Sequence, residues 1–149
     1  MVVYRITLSK WAGILRASGF PARWNSKGYF VIYTAGSRAL ACLENLVHRS
    51  GEGLNDTFSV TEISIPESIS MITVHANQLT AGWDSLSGQS ETQVIGNNWI
   101  QVNKSAILIV PSVIIPDEFN YLINPAHSDF SKIEVTSVSP FRFDQRLKS

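Results

Sequence analysis

Four polar residues stand where the surrounding sequence is apolar or strand-like, and they are the first candidates for a functional site. Arg5 lies within an alternating run, and Tyr33 lies within a run of β-branched and aromatic residues. Glu44 borders the apolar stripe of a predicted helix, and Ser112 directly follows an apolar run. Polar groups in such surroundings are costly unless they have a partner or a task. Each also has an ordinary structural explanation, so the pattern alone indicates no more than a candidate site.

Familiar catalytic and nucleotide-binding motifs are missing from the sequence. It has neither a Walker-type phosphate loop nor a Gly-x-Ser-x-Gly elbow, and Gly51-Glu52-Gly53 lacks the third glycine of a dinucleotide fingerprint because position 56 is Asp. The single cysteine, Cys42, excludes an internal disulfide, and the three histidines lack the spacing of a zinc site. We therefore expect no metal, and any nucleotide must be bound in another way.

Composition and charge narrow the class of protein. A chain of 149 residues with 44% hydrophobic residues suits one folded domain. Twelve basic and twelve acidic residues, with no basic run, make direct binding of nucleic acid an unfavoured reading. Only 16% of the residues are charged, which hints at a surface covered by a partner. The longest apolar run, Ala106–Val110, is too short to span a membrane, and the start of the chain does not look like an export signal, so we expect a cytoplasmic protein without membrane contact.

Hydrophobic periodicity and capping residues predict the elements that must position the candidates. The predicted strands are Val2–Thr7, Tyr29–Ala35, Phe58–Ile65, Met71–Val74, Ala106–Val110, expected to be central, and Ile133–Val138. The predicted helices are a short segment around Trp11, Ile14 and Leu15, then Arg38–Ser50, and Gln93–Val102 with Val94, Ile95, Trp99 and Val102 facing inward. Ser37 is the expected N-cap of the second helix and Gly51 its stop. Because strands outnumber helices without regular alternation, we expect a single α+β domain built on curved sheets.

A series of short segments, spread nearly from end to end, resembles the RES-domain family in the expected order. The segments are Tyr4-Arg5, Arg23-Trp24-Asn25, Tyr33-Thr34-Ala35, Ala39-Leu40-Ala41 with Leu43-Glu44, Gly96 to Trp99, Val110-Pro111-Ser112, Asn124 to His127 and Phe143 to Leu147. The resemblance implies one RES domain over residues 1–149. It also implies an ADP-ribosyltransferase-like fold, with a curved β-sheet core and flanking helices. Members of the family are toxins of bacterial toxin–antitoxin pairs.

The activity implied by the resemblance is depletion of NAD+ by cleavage of the bond between nicotinamide and ribose, with water or phosphate as the acceptor. The family pattern assigns catalysis to Glu44, Arg5 and Tyr33, and NAD+ binding to Arg5, Arg23, Tyr33 and Ser112. Nicotinamide leaves as a neutral molecule, so no general acid is needed and one carboxylate can suffice, unlike ordinary glycoside hydrolysis. NAD+ is thus expected as the substrate, without a metal.

Two other functions stay open, and the resemblance also implies a partner. The chain could transfer ADP-ribose to a protein target, or it could be a non-catalytic binding domain that kept the fold. The implied partner is an Xre-like helix-turn-helix antitoxin that covers the active site and itself binds DNA.

Overall fold

The computed structural model describes residues 1–48 and 57–147, and within these ranges the chain forms seven strands and two α-helices. The strands are β1 (Val2–Leu8), β2 (Ile32–Ala35), β3 (Phe58–Ser64), β4 (Met71–Thr73), β5 (Ile107–Pro111), β6 (Phe119–Ile123) and β7 (Glu134–Phe141). The helices are α1 (Arg38–His48) and α2 (Gln89–Val102). Short 3-10 turns, such as Ser9–Trp11, link several of them.

All seven strands belong to one mixed sheet with the order β4-β5-β6-β2-β1-β3-β7. The β4–β5 pair is parallel, and each of the other neighbouring pairs is antiparallel. This arrangement confirms the predicted α+β class, because the helices do not alternate regularly with parallel strands.

The sheet is nearly divided between β1 and β2. These strands pair at one position, Tyr4 opposite Ala35, whereas the other neighbouring strands pair over three to seven positions. Beyond this pair, Arg5–Leu8 on β1 and Ile32–Thr34 on β2 form no ladder with each other. The sheet therefore consists of two halves, β4-β5-β6-β2 and β1-β3-β7, that part next to Arg5.

Apolar side chains cover both faces of the sheet. One face carries a cluster that includes Val3, Ile32, Ile63, Ile107 and Ile123, and the chain segments between the strands pack over it. On the other face α1 packs over the half containing β1 and β3, with Leu40 and Ala41 buried. The remaining part of that face, around Leu108 and Leu122, is covered by α2 through Trp99. The two helices thus cover different parts of the same face.

Most predicted elements are confirmed, with shifted ends. The strands β1, β3, β4, β5 and β7 and the helix α1 lie where the sequence predicts them, and Ser37 Oγ accepts from the Leu40 N–H at 3.1 Å as the expected N-cap. The predicted helix end at Arg49–Ser50, the stop at Gly51 and the motif ending at Asp56 lie outside the described residues.

Four predictions about elements are wrong, and β6 is an unpredicted strand. Residues 12–15 form no helix, since helical spacing is not matched by a buried face there and Trp11 and Ile14 are exposed. The predicted strand Tyr29–Ala35 begins only at Ile32. The predicted central strand, β5, lies next to the edge strand β4, while β2 occupies the centre.

The fourth error concerns α2, which starts at Gln89 and turns a different face inward. Trp99 is buried as expected and Ile95 packs partly against the core, but Val94 and Val102 are 68% and 53% exposed. The reason is that polar side chains of α2 occupy the inward face, where helical periodicity predicts apolar ones. No helix in the described part of the chain is long and apolar enough to cross a membrane.

Candidate active site

Tyr33 projects from β2 on the face covered by the helices, and its hydroxyl is fully engaged. The hydroxyl donates to Oδ1 of Asn25 at 2.5 Å and accepts from the N–H of Trp24 at 3.1 Å. Burial raises the pKa of this phenol well above its ordinary value. A neutral phenol with both hydrogen-bonding roles occupied offers a substrate its ring face and not its proton.

Arg23 sits at the tip of a tight turn that precedes β2. The turn is closed by hydrogen bonds between Ala22 and Asn25, from the Ala22 N–H at 3.0 Å and from the Asn25 N–H at 3.4 Å. The Arg23 side chain reaches a separate loop, where Nη1 donates to the carbonyls of Trp83 at 3.1 Å and Ser85 at 2.8 Å. Both the backbone and the guanidinium of Arg23 are therefore fixed, while its charge has no carboxylate partner among the described residues.

Glu44 lies on α1, at the end of the second turn after the Ser37 cap, and is partly exposed. Its Oε2 is 3.2 Å from Nε2 of His48, one helical turn further on. The hydrogen bond to Glu44 is the main cause that raises the pKa of His48, while burial and the charge of Arg23 act in the opposite direction. The carboxylate thus has a partner whose charged form it favours.

Electrostatic interactions join Arg23, Tyr33 and Glu44 into one group. After burial and the Trp24 hydrogen bond, the pKa of Tyr33 responds to Arg23, which lowers it, and to Glu44, which raises it. The charge of Arg23 also acts on His48 beside Glu44. The cation of Arg23 and the carboxylate of Glu44 consequently both lie near enough to the Tyr33 phenol to act on its pKa, on the face of the sheet where α1 and α2 lie.

Arg5 does not join this group through any interaction in residues 1–48 and 57–147. Tyr4 pairs with Ala35 and so shares its face, and Tyr33, two residues before Ala35, shares it as well. Arg5 therefore projects from the opposite face, where Nη1 donates to the Arg16 carbonyl at a long 3.5 Å. Burial lowers the pKa of this guanidinium, yet no carboxylate of the described chain pairs with it. The structure leaves a partly buried cation beside the split in the sheet.

Ser112 closes a turn after β5 and is likewise separate from the central group. Its Oγ accepts from the N–H groups of Ile114 and Ile115, both at 3.0 Å, and its own N–H donates to the Glu118 carbonyl at 2.8 Å. The side chains of Ile114 and Ile115 pack against the cluster beneath α1. With both lone pairs of Oγ in use, Ser112 can donate a hydrogen bond but is a poor nucleophile.

Sequence reasoning assigned no role to the residues that hold Arg23 and Tyr33. Asn25 is 2% exposed, and besides accepting from Tyr33 its amide donates to the carbonyls of Phe20 and Tyr29, both at 2.9 Å. Polar residues of α2 bind the same turn from the other side. For the α2 residues the one available signal was their helical spacing, because they bind backbone groups, which no sequence pattern identifies.

The described residues form no metal site, and an apolar cavity lies apart from the candidate residues. The described residues contain no group of three or more His, Cys, Asp or Glu side chains that could hold an ion. An apolar cavity of about 260 Å³ lies between β4 and α2, lined by Ile72, Val74, Trp99 and Leu108 among others. None of the candidate residues lines this cavity.

The RES domain model matches residues 2–144, nearly the entire chain. The chain belongs to the RES-domain family. Among its relatives, the Prs ADP-ribosylating toxin of Sphingobium sp. is 39% identical over 127 residues, covering 84% of this chain and 79% of that protein. Toxin Res of Yersinia enterocolitica is 37% identical over an alignment of 155 positions that covers 99% of this chain and all of the relative. Toxin Res of Photorhabdus laumondii is 36% identical over 99% of this chain and 97% of its own length.

A solved structure shares the fold of this RES-domain chain. The Mycobacterium tuberculosis MbcT–MbcA toxin–antitoxin complex contains a chain that matches with a TM-score of 0.76, covering 95% of this chain and 84% of that one. Sequence identity is 15%, so this likeness concerns the fold. Together the matches confirm the family, the fold class and the function as a RES-family toxin.

Proposed function

We propose that this toxin depletes NAD+ by cleaving the bond between nicotinamide and ribose, with water or phosphate as the acceptor. The observation that carries the proposal is the grouping of Arg23, Tyr33 and Glu44, in which a fixed cation and a carboxylate both act on one neutral phenol. NAD+ offers a matching set of features: an anionic pyrophosphate, a ribose that gains positive charge, and a flat leaving group.

In this mechanism Glu44 acts on the sugar. As the glycosidic bond breaks, positive charge develops on the ribose, and a carboxylate beside it stabilises the transition state more than the ground state. A single preorganised group of this kind typically contributes roughly 10²- to 10³-fold in rate. Nicotinamide takes the bonding electrons and departs neutral, so the mechanism requires no second carboxylate. Phosphate, or water that releases a proton to the solvent, then forms the new bond to the ribose carbon.

Tyr33, Arg23, Arg5 and Ser112 act in binding. The Tyr33 ring, held by its engaged hydroxyl, gives nicotinamide a face to stack on. Arg23 keeps Nε and Nη2 for the pyrophosphate, since its recorded protein contacts use Nη1. Arg5 projects from the opposite face but lies where the two halves of the sheet part, and we propose that it reaches the ligand there as a second cation. Its lack of a carboxylate partner in the described chain favours an anion as its ligand. The Ser112 hydroxyl proton orients a bound hydroxyl or phosphate.

The deciding experiment follows nicotinamide release and product mass after incubation of the purified chain with NAD+, with and without phosphate. Glu44→Gln removes the charge but keeps the shape, so we expect release to fall by roughly 10²- to 10³-fold. Glu67→Gln, on an exposed segment after β3, is the matched control and should leave release unchanged. The product mass identifies water or phosphate as the acceptor. Absence of release from the unmodified chain under both conditions would overturn the proposal.

ADP-ribosyl transfer to a protein is the second candidate, and the name of the Sphingobium relative favours it. The same charge stabilisation at the ribose serves both reactions, which differ in the acceptor. Transfer predicts that nicotinamide release stays low with NAD+ alone and rises when a cell extract is added, with a mass increase on one protein. A non-catalytic binding domain is the remaining alternative, and it predicts NAD+ binding without release in either case.

We further propose an antitoxin partner, a helix-turn-helix protein of the Xre kind that covers the site. Support comes from the toxin relatives, from the low charged fraction of 16%, and from large apolar side chains exposed next to Arg23. Phe20 precedes the Arg23 turn and is 74% exposed, and Leu86, in the loop that binds its guanidinium, is 84% exposed. Expression of this chain alone should arrest growth and lower NAD+, and co-expression with a neighbouring helix-turn-helix gene should restore both. Normal growth with full NAD+ on expression alone would contradict this.

A further inference from the structure

The Arg23 turn is bound along its backbone by one face of α2. Residues at positions i, i+3, i+4, i+7 and i+8 share a helix face. On α2 this face consists of Gln89, Thr92, Gln93, Gly96 and Asn97. A helix packed on a sheet normally presents apolar residues there, but these side chains are polar or absent, and their partners are main-chain atoms of residues 22–26.

Gln93 makes the most informative of these contacts. Its Nε2 donates to the carbonyl of Ala22 at 2.9 Å and to the carbonyl of Asn25 at 3.1 Å. These are the first and last residues of the turn whose tip carries Arg23. One amide group therefore bridges both ends of the turn, and it does so with two protons of fixed relative direction.

The same helix also controls the guanidinium of Arg23. The loop that supplies the carbonyls of Trp83 and Ser85 is tied to α2 by Glu91, whose Oε1 accepts from the Thr80 N–H at 3.1 Å. The backbone turn of Arg23 is thus held directly by α2, and its guanidinium is held by a loop that is itself bonded to α2. This leaves the Nε–Nη2 edge, the forked edge suited to a phosphate, without an acceptor in the described residues.

We propose that Gln93 is a positioning residue that fixes Arg23 for the pyrophosphate of NAD+, a role that rests on the proposed function. Gln93 does not touch the substrate. By holding both ends of the turn it sets the direction in which Arg23 leaves the backbone, and this orientation is established before the ligand arrives. Preorganisation of this kind acts on affinity, because the ligand then orders fewer groups on binding.

The test compares three variants in steady-state cleavage of NAD+. Gln93→Met keeps the length of the side chain and removes its donors, and we expect KM to rise about tenfold while kcat stays within about twofold, a factor that one lost pair of hydrogen bonds can supply. Gln93→Lys restores a donor in reach of both carbonyls and should return KM to within about threefold of the original value. Gln101→Met is the matched control, since Gln101 is exposed on the same helix and its amide binds Tyr29 Oη at 2.9 Å, away from the turn.

A second readout separates failure of this inference from failure of the proposed function. Binding of ADP-ribose, measured by calorimetry, and the Arg23 Nε–H signal in NMR spectra need no turnover. Gln93→Met should weaken ADP-ribose binding about tenfold and shift the Arg23 signal, with Gln93→Lys recovering both, even if the chain releases no nicotinamide. Unchanged KM and ADP-ribose affinity in Gln93→Met overturn the proposal. A loss of kcat and thermal stability that Gln93→Lys does not reverse also overturns it, because it indicates a purely structural role.

Discussion

Two regions of the candidate site are positioned by different kinds of interaction. The Arg23 turn is held by hydrogen bonds from α2 and from the Trp83–Ser85 loop, with its backbone and side chain both engaged. Glu44 is carried by α1, which docks mainly through buried Leu40 and Ala41 and through one hydrogen bond from Asn45 Nδ2 to the Ile6 carbonyl at 3.1 Å, while the carboxylate itself is hydrogen-bonded to the exposed His48. Apolar packing fixes how deep a helix lies, whereas hydrogen bonds also fix direction. The cation is therefore more strictly oriented than the carboxylate.

The largest expected effect concerns the apolar packing that holds α1, and with it Glu44, against the sheet. Leu40 is 1% exposed beneath α1, and Leu40→Ala removes buried methyl groups and leaves a cavity. The free energy of unfolding should fall by about 3 kcal/mol or more. Because packing of this kind does not set the direction of Glu44, the folded fraction should keep its kcat within about threefold. Urea titration and cleavage assays at a temperature where the variant is folded measure both quantities.

The control for this change lies on the same helix. Val47 is 61% exposed, so Val47→Ala should alter stability by less than about 0.5 kcal/mol. A Leu40→Ala protein that is fully folded yet has lost its kcat would show that apolar packing orients Glu44 as strictly as hydrogen bonds orient Arg23.

Gly96→Ala tests the close contact between α2 and the hydrogen-bonded Arg23 turn. A Cβ at this position would lie 1.7 Å from the Trp24 carbonyl oxygen, so α2 or the Arg23 turn must move. Ala improves helix propensity by up to about 1 kcal/mol, which offsets part of the strain, and we expect a net destabilisation of about 2 kcal/mol. Unlike Leu40→Ala, this variant should raise KM for NAD+ at least about tenfold in the folded fraction, since Arg23 moves with the turn.

Asn98→Ala is the matched control for Gly96→Ala, because Asn98 is exposed near the middle of the same helix. It gains helix propensity without a clash and should leave both stability and KM nearly unchanged. If Gly96→Ala were as stable and as active as Asn98→Ala, the close approach of α2 to the turn would not be required.

Local signals explain which parts of the fold were predictable from the sequence. The alternation of β1 and the Ser37 cap of α1 operate over a few residues, and both are confirmed. β6 was missed because Asn120 and Tyr121 interrupt its apolar pattern, although Thr34 Oγ1 donates to the Tyr121 carbonyl at 2.7 Å and Asn120 Nδ2 to the Thr34 carbonyl at 3.2 Å. The split beside Tyr4 depends on how two halves of a sheet twist apart, and no short window contains that information.

The candidate site likewise has features that the sequence predicted and features that it did not. The resemblance to the family named Arg23, Tyr33 and Glu44, and the structure joins these three by charge. The resemblance did not reveal that Arg5 projects from the opposite face or that the Ser112 hydroxyl caps its own turn. The inward face of α2 was mispredicted because its polar side chains bind a turn some seventy residues earlier. Periodicity identifies the apolar face of a helix. It does not identify a face that buries polar groups against a backbone.

Tyr33→Phe separates orientation from chemistry within the hydrogen-bonded region. Loss of the hydroxyl leaves Oδ1 of buried Asn25 and the Trp24 N–H without their partner, so stability should fall by about 1 to 2 kcal/mol. The ring remains, and kcat for NAD+ cleavage should stay within about threefold. Tyr33→Leu removes the ring as well and should lower kcat/KM more than tenfold, about 1.4 kcal/mol. Equal loss of activity in both variants would mean that the hydroxyl itself takes part in the reaction.

The smallest effect concerns the carboxylate's exposed partner and is best measured by NMR. Glu44 raises the pKa of His48 in the folded chain, so the pair stabilises the fold fully below the unfolded histidine value of about 6.5. This contribution is lost as pH rises through the higher folded value. Because the His48 side chain is 68% exposed, it amounts to a few tenths of a kcal/mol.

In Glu44→Gln the His48 ring signals should titrate at lower pH, because the remaining influences, burial and the charge of Arg23, both lower its pKa. In Arg23→Gln they should titrate at higher pH, which would report that the cation and the carboxylate act on the same space. The ring signals of His75, which is exposed and distant in sequence, provide the internal reference in all three proteins. An unchanged His48 titration in Arg23→Gln would separate the two regions, and Arg23 and Glu44 could then no longer be treated as parts of one site.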